Sequence, residues 1–282
     1  MYESLQIIVV DNASSDSSAD FLMEAKANIL FHKLSFNIGF AAACNFGAKL
    51  SHRGSNYLLF LNPDTIVFPD SISTVFRFMQ NCSSSRVGIC SIPLLDSSSC
   101  VSRSGFRFPS PANIFMESIG FSKVFPRLGR QMNEWKHDCS RIVDQVIGAF
   151  FFVRRCLYDD LNGFDPNFFV YYEDVDFSLR ALRLGYYSYF LDSTSAIHVG
   201  GGCTSKFKFL RLFYSLKSRL YYFHKHFSLL DVCLVYVSTL AIEPFSRFAF
   251  FFFRLRIRES FEILIAYALL FQAVIRSAFH LG

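Results

Sequence analysis

Short runs of consecutive apolar residues alternate with stretches of helical spacing along the first two hundred positions. The runs are Leu5–Val10, Ile29–Leu34, Tyr57–Leu61, Val87–Pro93, Val146–Arg154 and Tyr186–Leu191. Each is short, rich in branched or aromatic side chains and bounded by turn residues. Each therefore reads as a strand, most of them buried on both faces. Residues 17–27, 40–50, 69–81, 155–161 and 174–184 read as the intervening helices, with Pro69 suited to a helix start. This alternation predicts an α/β fold, Rossmann-like, with a mostly parallel central sheet and helices on both faces. Residues 96–141 are rich in Ser, Pro and Arg and hold no clear period. They read as a long irregular excursion with a helix near 112–120.

The pattern changes after His198. Residues 206–226 form a basic, aromatic helix, and Leu229–Ile242, Phe245–Phe253 and Ile263–Ile275 are apolar. None of these stretches reaches the ~20 apolar residues of a spanning helix. Glu243-Pro244 is expected to split the first pair, and Arg254, Arg256 and Arg258 the second. Interfacial or re-entrant helices are the expectation, with one tilted span over about 229–253 as the alternative. The division expected is residues 1–205 as one α/β domain and 206–282 as a basic, apolar helical region.

Composition sharpens this picture. Of 282 residues 52% are hydrophobic and 36 are Phe, which excludes a disordered chain. Residues 203–282 carry 11 Lys and Arg against 4 Asp and Glu, whereas residues 1–202 carry 17 against 19. A basic segment this apolar suits an anionic membrane surface rather than a nucleic acid. The eight cysteines include no Cys-x-x-Cys pair, which argues against a zinc ribbon. The opening residues lack a secretory leader pattern, so a reducing, cytoplasmic compartment is expected.

Four clusters carry candidate chemistry, and each follows a strand, where open α/β sheets place their ligands. Asp11, Asn12, Ser14 and Asp16 follow the first strand; they suit a nucleobase N–H or, equally, a helix cap. Asn62-Pro63-Asp64 puts one carboxylate after the third strand, as a hard-metal ligand or an ordinary Asn-Pro turn. Glu173-Asp174-Val175-Asp176 packs three carboxylates into four residues. Their repulsion raises a pKa, which suits a general base, although acidic residues also favour a helix N-terminus. Asp176 and Arg180 are spaced as a helical ion pair. His198 precedes Gly200, Gly201 and Gly202, an imidazole beside backbone that can approach a diphosphate closely, or else a mobile loop. His224-Lys225-His226 reads as a solvated basic surface. P-loop, nucleophile-elbow and Gly-x-Gly-x-x-Gly motifs are absent after the first strand.

The order of these pieces resembles the family-2 glycosyltransferases of GT-A fold, in the rhamnosyltransferase branch. The matching pieces run from Val9–Asp16, through Asn37–Asn45, Leu61–Thr65, Gly148–Phe150, Gly163–Asp165 and Glu173–Asp176, to His198–Gly202 and the helix ending at His226. The resemblance implies inverting transfer of a sugar, rhamnose at branch level, from a dTDP- or UDP-sugar to a lipid-linked glycan acceptor. It implies a donor site drawn from Asp11, Asn12, Ser14, Asp16, Asn37, Gly39, Asn45, Asn62, Gly200 and Gly201. Asp64 and His198 would bind Mg²⁺ or Mn²⁺, and Asp174 would be the base, with Glu173 beside it. The cytoplasmic membrane face is the implied location. Family members usually open with one more strand, ending in a Thr-Tyr-Asn-like motif, and a helix, which this sequence lacks. That departure keeps a second expectation in view, a truncated non-catalytic relative that binds a membrane or a complex. A metal-dependent phosphotransferase or hydrolase using the same carboxylates is a third.

Overall fold

The computed structural model describes residues 5–16, 29–81, 86–200 and 208–279. The expected helix at 17–27, and Gly201 and Gly202, lie outside them. A five-stranded sheet runs through the middle in the order β3 (Tyr57–Leu61), β11 (Phe150–Arg154), β5 (Val87–Ser91), β12 (Tyr187–Phe190), β9 (Arg141–Val143). β1 (Ile7–Asp11) and β2 (Ile29–Lys33) form a separate parallel pair.

The two faces of β11 show why its sequence is an unbroken apolar run. Side chains alternate across a strand. Phe151 and Val153 join a core with Ala41 and Ala48 of α1 (Phe40–Leu50), Leu58, Phe164 and Phe177. Phe150 and Phe152 join another with Val75 and Met79 of α2 (Ser71–Asn81), Val87 and Cys90. The sheet is therefore covered on both sides, as its sequence predicts.

The sheet is mixed rather than mostly parallel. β5 and β12 are parallel, but β11 runs antiparallel to both β3 and β5, and β9 antiparallel to β12. The reason is the connection. β11 is reached through the 96–146 excursion instead of a helical crossover, so nothing forces it parallel. That excursion holds β7 (Val101–Ser102), β8 (Gly105–Phe106), α3 (Pro111–Ser118), β9 and β10 (Gln145–Val146). Ser110 caps α3 through a capping box with Asn113. The run read as one strand from Val146 to Arg154 is two, broken at Ile147-Gly148-Ala149.

A smaller sheet, β4 (Thr65–Val67), β13 (Ala196–His198), β6 (Leu94–Leu95), β7, lies beside the first. Short α4 (Arg155–Asp160) and long α5 (Glu173–Arg183) complete the α/β part. The chain between them is latched by Asn45 of α1. Its Nδ2 donates to the Phe164 carbonyl at 2.7 Å, and its Oδ1 accepts from the Phe164 N–H at 2.9 Å and the Tyr158 hydroxyl at 2.5 Å.

The C-terminal region packs on this body as a third cluster. α6 (Lys208–His226), α7 (Leu229–Val237) and α9 (Ile257–Phe279) bury Leu216, Leu220, Tyr222, Val232 and Tyr267 against Ile114, Phe168, Tyr172 and Val175. Glu243-Pro244 does not split the apolar stretch. A π-helical turn at Ser238–Ile242 joins α7 to α8 (Glu243–Phe252), and Pro244 falls in the first turn of α8, where a missing N–H costs little. Leu229–Phe252 is thus one 24-residue helical stretch, long and apolar enough to cross a membrane, with 28% of its most apolar window buried. The break before α9 falls as expected, at a turn where Leu255 is left-handed (φ 57°). Nor are all the basic residues at the end of α6 solvated. Lys225 Nζ lies 2.6 Å from Asp165 and 2.7 Å from Asp176, and His226 Nε2 2.7 Å from Asp176. Asp176 also holds Arg180 at 2.7 Å, the expected helical pair.

Truncating the Asn45 latch strands a phenol and an amide. Asn45→Ala is expected to destabilise the fold by about 2–3 kcal/mol, read from urea unfolding, because the partners lose their hydrogen bonds in a part-buried site.

Candidate active site

The sequence splits the candidate residues among four loops, and two pairs of them stand out: one that the backbone brings together from distant loops and one of adjacent residues. In the first, the β4–β13 ladder sets Thr65 opposite His198, and the Val199 N–H donates to the Asp64 carbonyl at 3.0 Å. Asp64 Oδ1 and His198 Nε2 end 3.2 Å apart. His198 Nε2 is buried without a hydrogen-bond partner. A carboxylate oxygen and an unsatisfied imidazole nitrogen facing one point fit a divalent cation. Among the described residues no third His, Cys, Asp or Glu joins them. Such a pair suits a hard ion that completes its shell with phosphate oxygens and water. Gly200, left-handed at φ 68°, continues the chain beyond this point.

The second pair is Glu173 and Asp174. Asp174 Oδ1 accepts from the Val175 N–H at 2.8 Å, and Oδ2 from the Gly148 N–H at 2.9 Å. Gly148 can donate because the break between β10 and β11 takes its N–H out of the ladder. Burial pushes the Asp174 pKa up to about 6 against the pull of those bonds. Glu173 is 5% exposed, and its Oε2 has no hydrogen-bond partner. Burial, then the neighbouring Asp174 charge, drives its pKa well above the ordinary carboxylate value.

One dipeptide joins the pairs. Ala149, next to Gly148, accepts at its carbonyl from the Asn62 N–H at 3.1 Å and the Thr65 hydroxyl at 3.4 Å. The turn that presents Asp64 and the amide that grips Asp174 thus hang from adjacent residues at the start of β11.

Around Asp11 the bonds are local. Asp11 is buried; its Oδ1 accepts from the Ser14 N–H at 2.9 Å, while Oδ2 takes no hydrogen bond and lies 3.7 Å from the Lys33 ammonium. Asn12 ties this loop to the next. Its Nδ2 donates to Asn37 Oδ1 at 3.0 Å and to the Gly39 carbonyl at 3.2 Å, and its Oδ1 accepts from the Ile38 N–H at 2.9 Å. Asn37 and Gly39 are therefore in one cluster with Asn12. Asp16 is exposed at the end of the described stretch.

Gly39 has a second task. It adopts φ 87°, ψ 162°, a conformation nearly confined to glycine, and a Cβ there would lie 2.7 Å from the Phe169 carbonyl oxygen. The Phe40 N–H donates to that oxygen at 2.6 Å. The Asn37–Gly39 loop thus touches the segment that leads to Glu173. Asn45 is not brought to this cluster; its amide is spent on Phe164 and Tyr158.

Residues 1–94 match the model of Glycosyl transferase family 2, and residues 57–278 that of Glycosyl transferase family group 2. The chain belongs to the family-2 glycosyltransferases. It is 29% identical over 148 residues to Rhamnosyltransferase WbbL of Escherichia coli, covering 51% of this chain and 52% of that one. It is 23% identical over 211 residues to the N-acetylglucosaminyl-diphospho-decaprenol L-rhamnosyltransferase of Mycobacterium tuberculosis, covering 69% and 66%. The family-2 chain thus spans between half and two thirds of these relatives' lengths. It superposes on the solved mannosyltransferase PcManGT from Pyrobaculum calidifontis, a complex with GDP-Man and Mn²⁺. The TM-score is 0.52 at 14% identity, over 99% of this chain and 72% of that one. At that identity the likeness shows the fold, which is GT-A.

The sequence pattern does not reveal Gly148 as a donor to Asp174, nor the grip of Ala149 on Asn62 and Thr65. Both act through backbone atoms, which leave little composition signal. The glycine inside an apolar run was the available cue, since a glycine within a strand often marks a break or close approach.

The buried Glu173 gives a pH-dependent test. Its raised pKa means that the folded state holds a proton at a pH where the unfolded chain has released it. Stability is therefore greatest below the unfolded value and falls as pH rises through the folded one. Glu173→Gln is expected to raise Tm at pH 7–8 and to leave it unchanged near pH 4, as read by calorimetry at both values.

Proposed function

We propose that this chain is an inverting glycosyltransferase that moves a sugar, rhamnose by likeness to its relatives, from a dTDP- or UDP-sugar to a hydroxyl of a lipid-linked glycan. The observation that carries this reading is the Gly148-Ala149 dipeptide. It puts a cation-fitting Asp64–His198 pair and a carboxylate of pKa about 6 on adjacent residues. A single displacement needs both functions at one site. One side of the site handles a leaving diphosphate and the other deprotonates an incoming hydroxyl.

In this mechanism Asp64 and His198 hold a divalent ion, Mg²⁺ or Mn²⁺, which when bound supplies positive charge against the departing diphosphate. Asp11 and Asn12 with Asn37 and Gly39 form the nucleoside side, and Asp11 Oδ2, buried without a hydrogen bond, suits a base N–H. Ser14, Asp16, Asn62 and the backbone at Gly200 line the donor's approach, and Gly201, outside the described residues, is assigned to the donor by the family resemblance alone. Asp174 takes the proton of the acceptor hydroxyl as that oxygen attacks the anomeric carbon. No enzyme nucleophile is required, so the configuration inverts. Burial and the neighbouring Asp174 charge raise the Glu173 pKa well above its ordinary value, whereas Asp174, at about 6, is the member assigned to proton transfer.

Residues 1–205 supply these groups, and residues 206–282 hold the enzyme at the cytoplasmic face of a membrane. The exposed apolar side chains Leu230, Phe245, Phe253 and Leu255 are 74–86% accessible, and Phe253 and Leu255 alternate in sequence with Arg254 and Arg256. Apolar insertion beside basic headgroup contacts is the pattern of an interfacial helix.

Thermal unfolding with UDP, dTDP or GDP, with and without Mn²⁺, tests the donor site. Nucleotide at about 100 times its Kd adds roughly 2.7 kcal/mol of stability. One nucleotide is expected to raise Tm only with the metal, and Asp64→Ala to remove the shift. Sugar transfer is expected to be lost in Asp174→Asn and, in the unsubstituted chain, to fall as pH drops below about 6, where the base becomes protonated. A folded chain that no nucleotide stabilises would instead favour the non-catalytic, membrane- or complex-binding relative.

The membrane arm has its own test. The triple variant Leu230→Ser, Phe253→Ser, Leu255→Ser is expected to leave anionic-vesicle pellets for the supernatant while melting as the unsubstituted chain does. Continued pelleting would overturn this role of the exposed face.

A further inference from the structure

The segment that delivers Asp174 is strained. Tyr171 and Tyr172 both have left-handed backbones, at φ 67° and 70°. Two such residues in succession, neither of them glycine, are strained and persist where their surroundings over-determine them. The surroundings here are polar as well as apolar. The Tyr172 hydroxyl accepts from Arg130 Nη1 at 3.0 Å. Arg130 is braced in turn by Glu117 of α3, with Nη2 3.0 Å from Oε2 and Nε 3.1 Å from the same oxygen. The phenol also sits in the field of Arg219 and Glu243.

Those last two form a buried ion pair between α6 and α8, each about 5% exposed, and Glu243 also holds Arg247 at 2.6 Å. Ser218, beside Arg219, donates to the Val170 carbonyl at 2.8 Å, directly before the strained turn. The turn is therefore gripped from α3, from α6 and, through Arg219–Glu243, from the apolar helix α8. A buried ion pair is poor evidence of stabilisation in itself, because desolvation offsets the attraction. Its place, one residue from the Ser218 that bonds Val170, asks for another role.

We propose that Tyr172, Arg130 and the Arg219–Glu243 pair are positioning residues for Asp174. They hold the left-handed turn from the side of the C-terminal helices, so that the packing of those helices on the body sets where the base stands. The proposal rests on the glycosyl-transfer reading for its catalytic consequence and on geometry alone for its structural one.

The test uses the full chain and the variants Tyr172→Phe and Glu243→Gln. Amide exchange at Gly148 and Val175, whose N–H groups bond Asp174, reads the carboxylate's placement without any activity assay. Both variants are expected to exchange at these two amides about tenfold faster, with the β11 amides Phe151 and Val153 unchanged. Their kcat is expected to fall roughly 10- to 100-fold, as for a misplaced catalytic group, with the donor KM unchanged. The acid limb of the pH profile should move to lower pH as the loosened carboxylate meets water. Unchanged exchange and kcat would overturn the proposal, as would loss of protection throughout the fold. If Tyr172→Phe melts below the assay temperature, Arg130→Lys, which keeps the charge and loses the fork, is read by the same criteria. If the unsubstituted chain transfers no sugar but Gly148 and Val175 still loosen in the variants, the transferase reading fails and the positioning of Asp174 stands.

Discussion

The hydrogen bond from the Gly148 N–H to Asp174 is the contact on which the rest of the site depends. A carboxylate in a buried position loses hydration that no apolar neighbour returns, and its proton becomes harder to remove. Two backbone amides, of Gly148 and Val175, offset enough of that loss for a pKa of about 6 rather than a permanently neutral acid. Glu173 has no such side-chain partner at Oε2, and its pKa is driven higher. Adjacent carboxyls thus diverge because their hydrogen bonds differ and because the charge of Asp174 adds to the burial of Glu173. The Gly148 amide is available only because the strand breaks before Phe150. Ile147 and Ala149, on either side, are fixed by Ser104 and Asn62. The break in the ladder is thus part of the chemistry.

Holding Asp174 there requires the segment 163–172 to be fixed along its length. Asn45 binds Phe164 at one end, and α6 binds the remainder. Tyr221 and Lys225 bond Asp165, Phe168 packs on Tyr221 and Phe169 on Tyr214, and Ser218 bonds Val170. Farther on, Lys225 and His226 meet the buried Asp176. Asp176 is held down to about pKa 2 because these bonds and Arg180 outweigh its burial. It is thus a fixed anion that anchors α5 to α6, in contrast to Asp174 two residues earlier. Helix α6 reads in sequence as part of a membrane arm, yet Tyr214, Ser218, Tyr221, Lys225 and His226 are spent on the segment around Asp174.

The elements that were legible in the sequence are those whose signal is local. The two-sided burial of β11 is written as consecutive phenylalanines, and the Asp176–Arg180 pair as helical spacing. The illegible parts have partners far along the chain. β4 and β13 are three residues each, too short for a period to register, yet their ladder is what sets Asp64 beside His198. The mixed direction of the sheet follows from an excursion whose two-residue strands β8 and β10 carry no pattern. Lys225 and His226 look like surface charge because their partners, Asp165 and Asp176, are 60 and 50 residues away. Pro244 looks like a break because the sequence does not reveal the π-turn that precedes it.

The same buried pair that underlies the strained turn bears on how the apolar helices meet a membrane. Leu229–Phe252 has the length to cross one, about 36 Å at 1.5 Å per residue. Its Glu243, however, is held by Arg219 of α6, and α6 is bonded to Asp165 and Asp176 of the catalytic layer. Drawing this helix across a bilayer would place Glu243 in hydrocarbon or carry α6, with its lysines and arginines, in after it; either is costly. A helix fixed to the body through its polar side can instead lay its other side, with Leu230, Phe245 and Phe253, into the headgroup boundary. On the reading proposed here, that geometry argues for a helix lying in the surface. It sets the enzyme beside the head of a lipid-linked acceptor, the end that carries the hydroxyl Asp174 must reach.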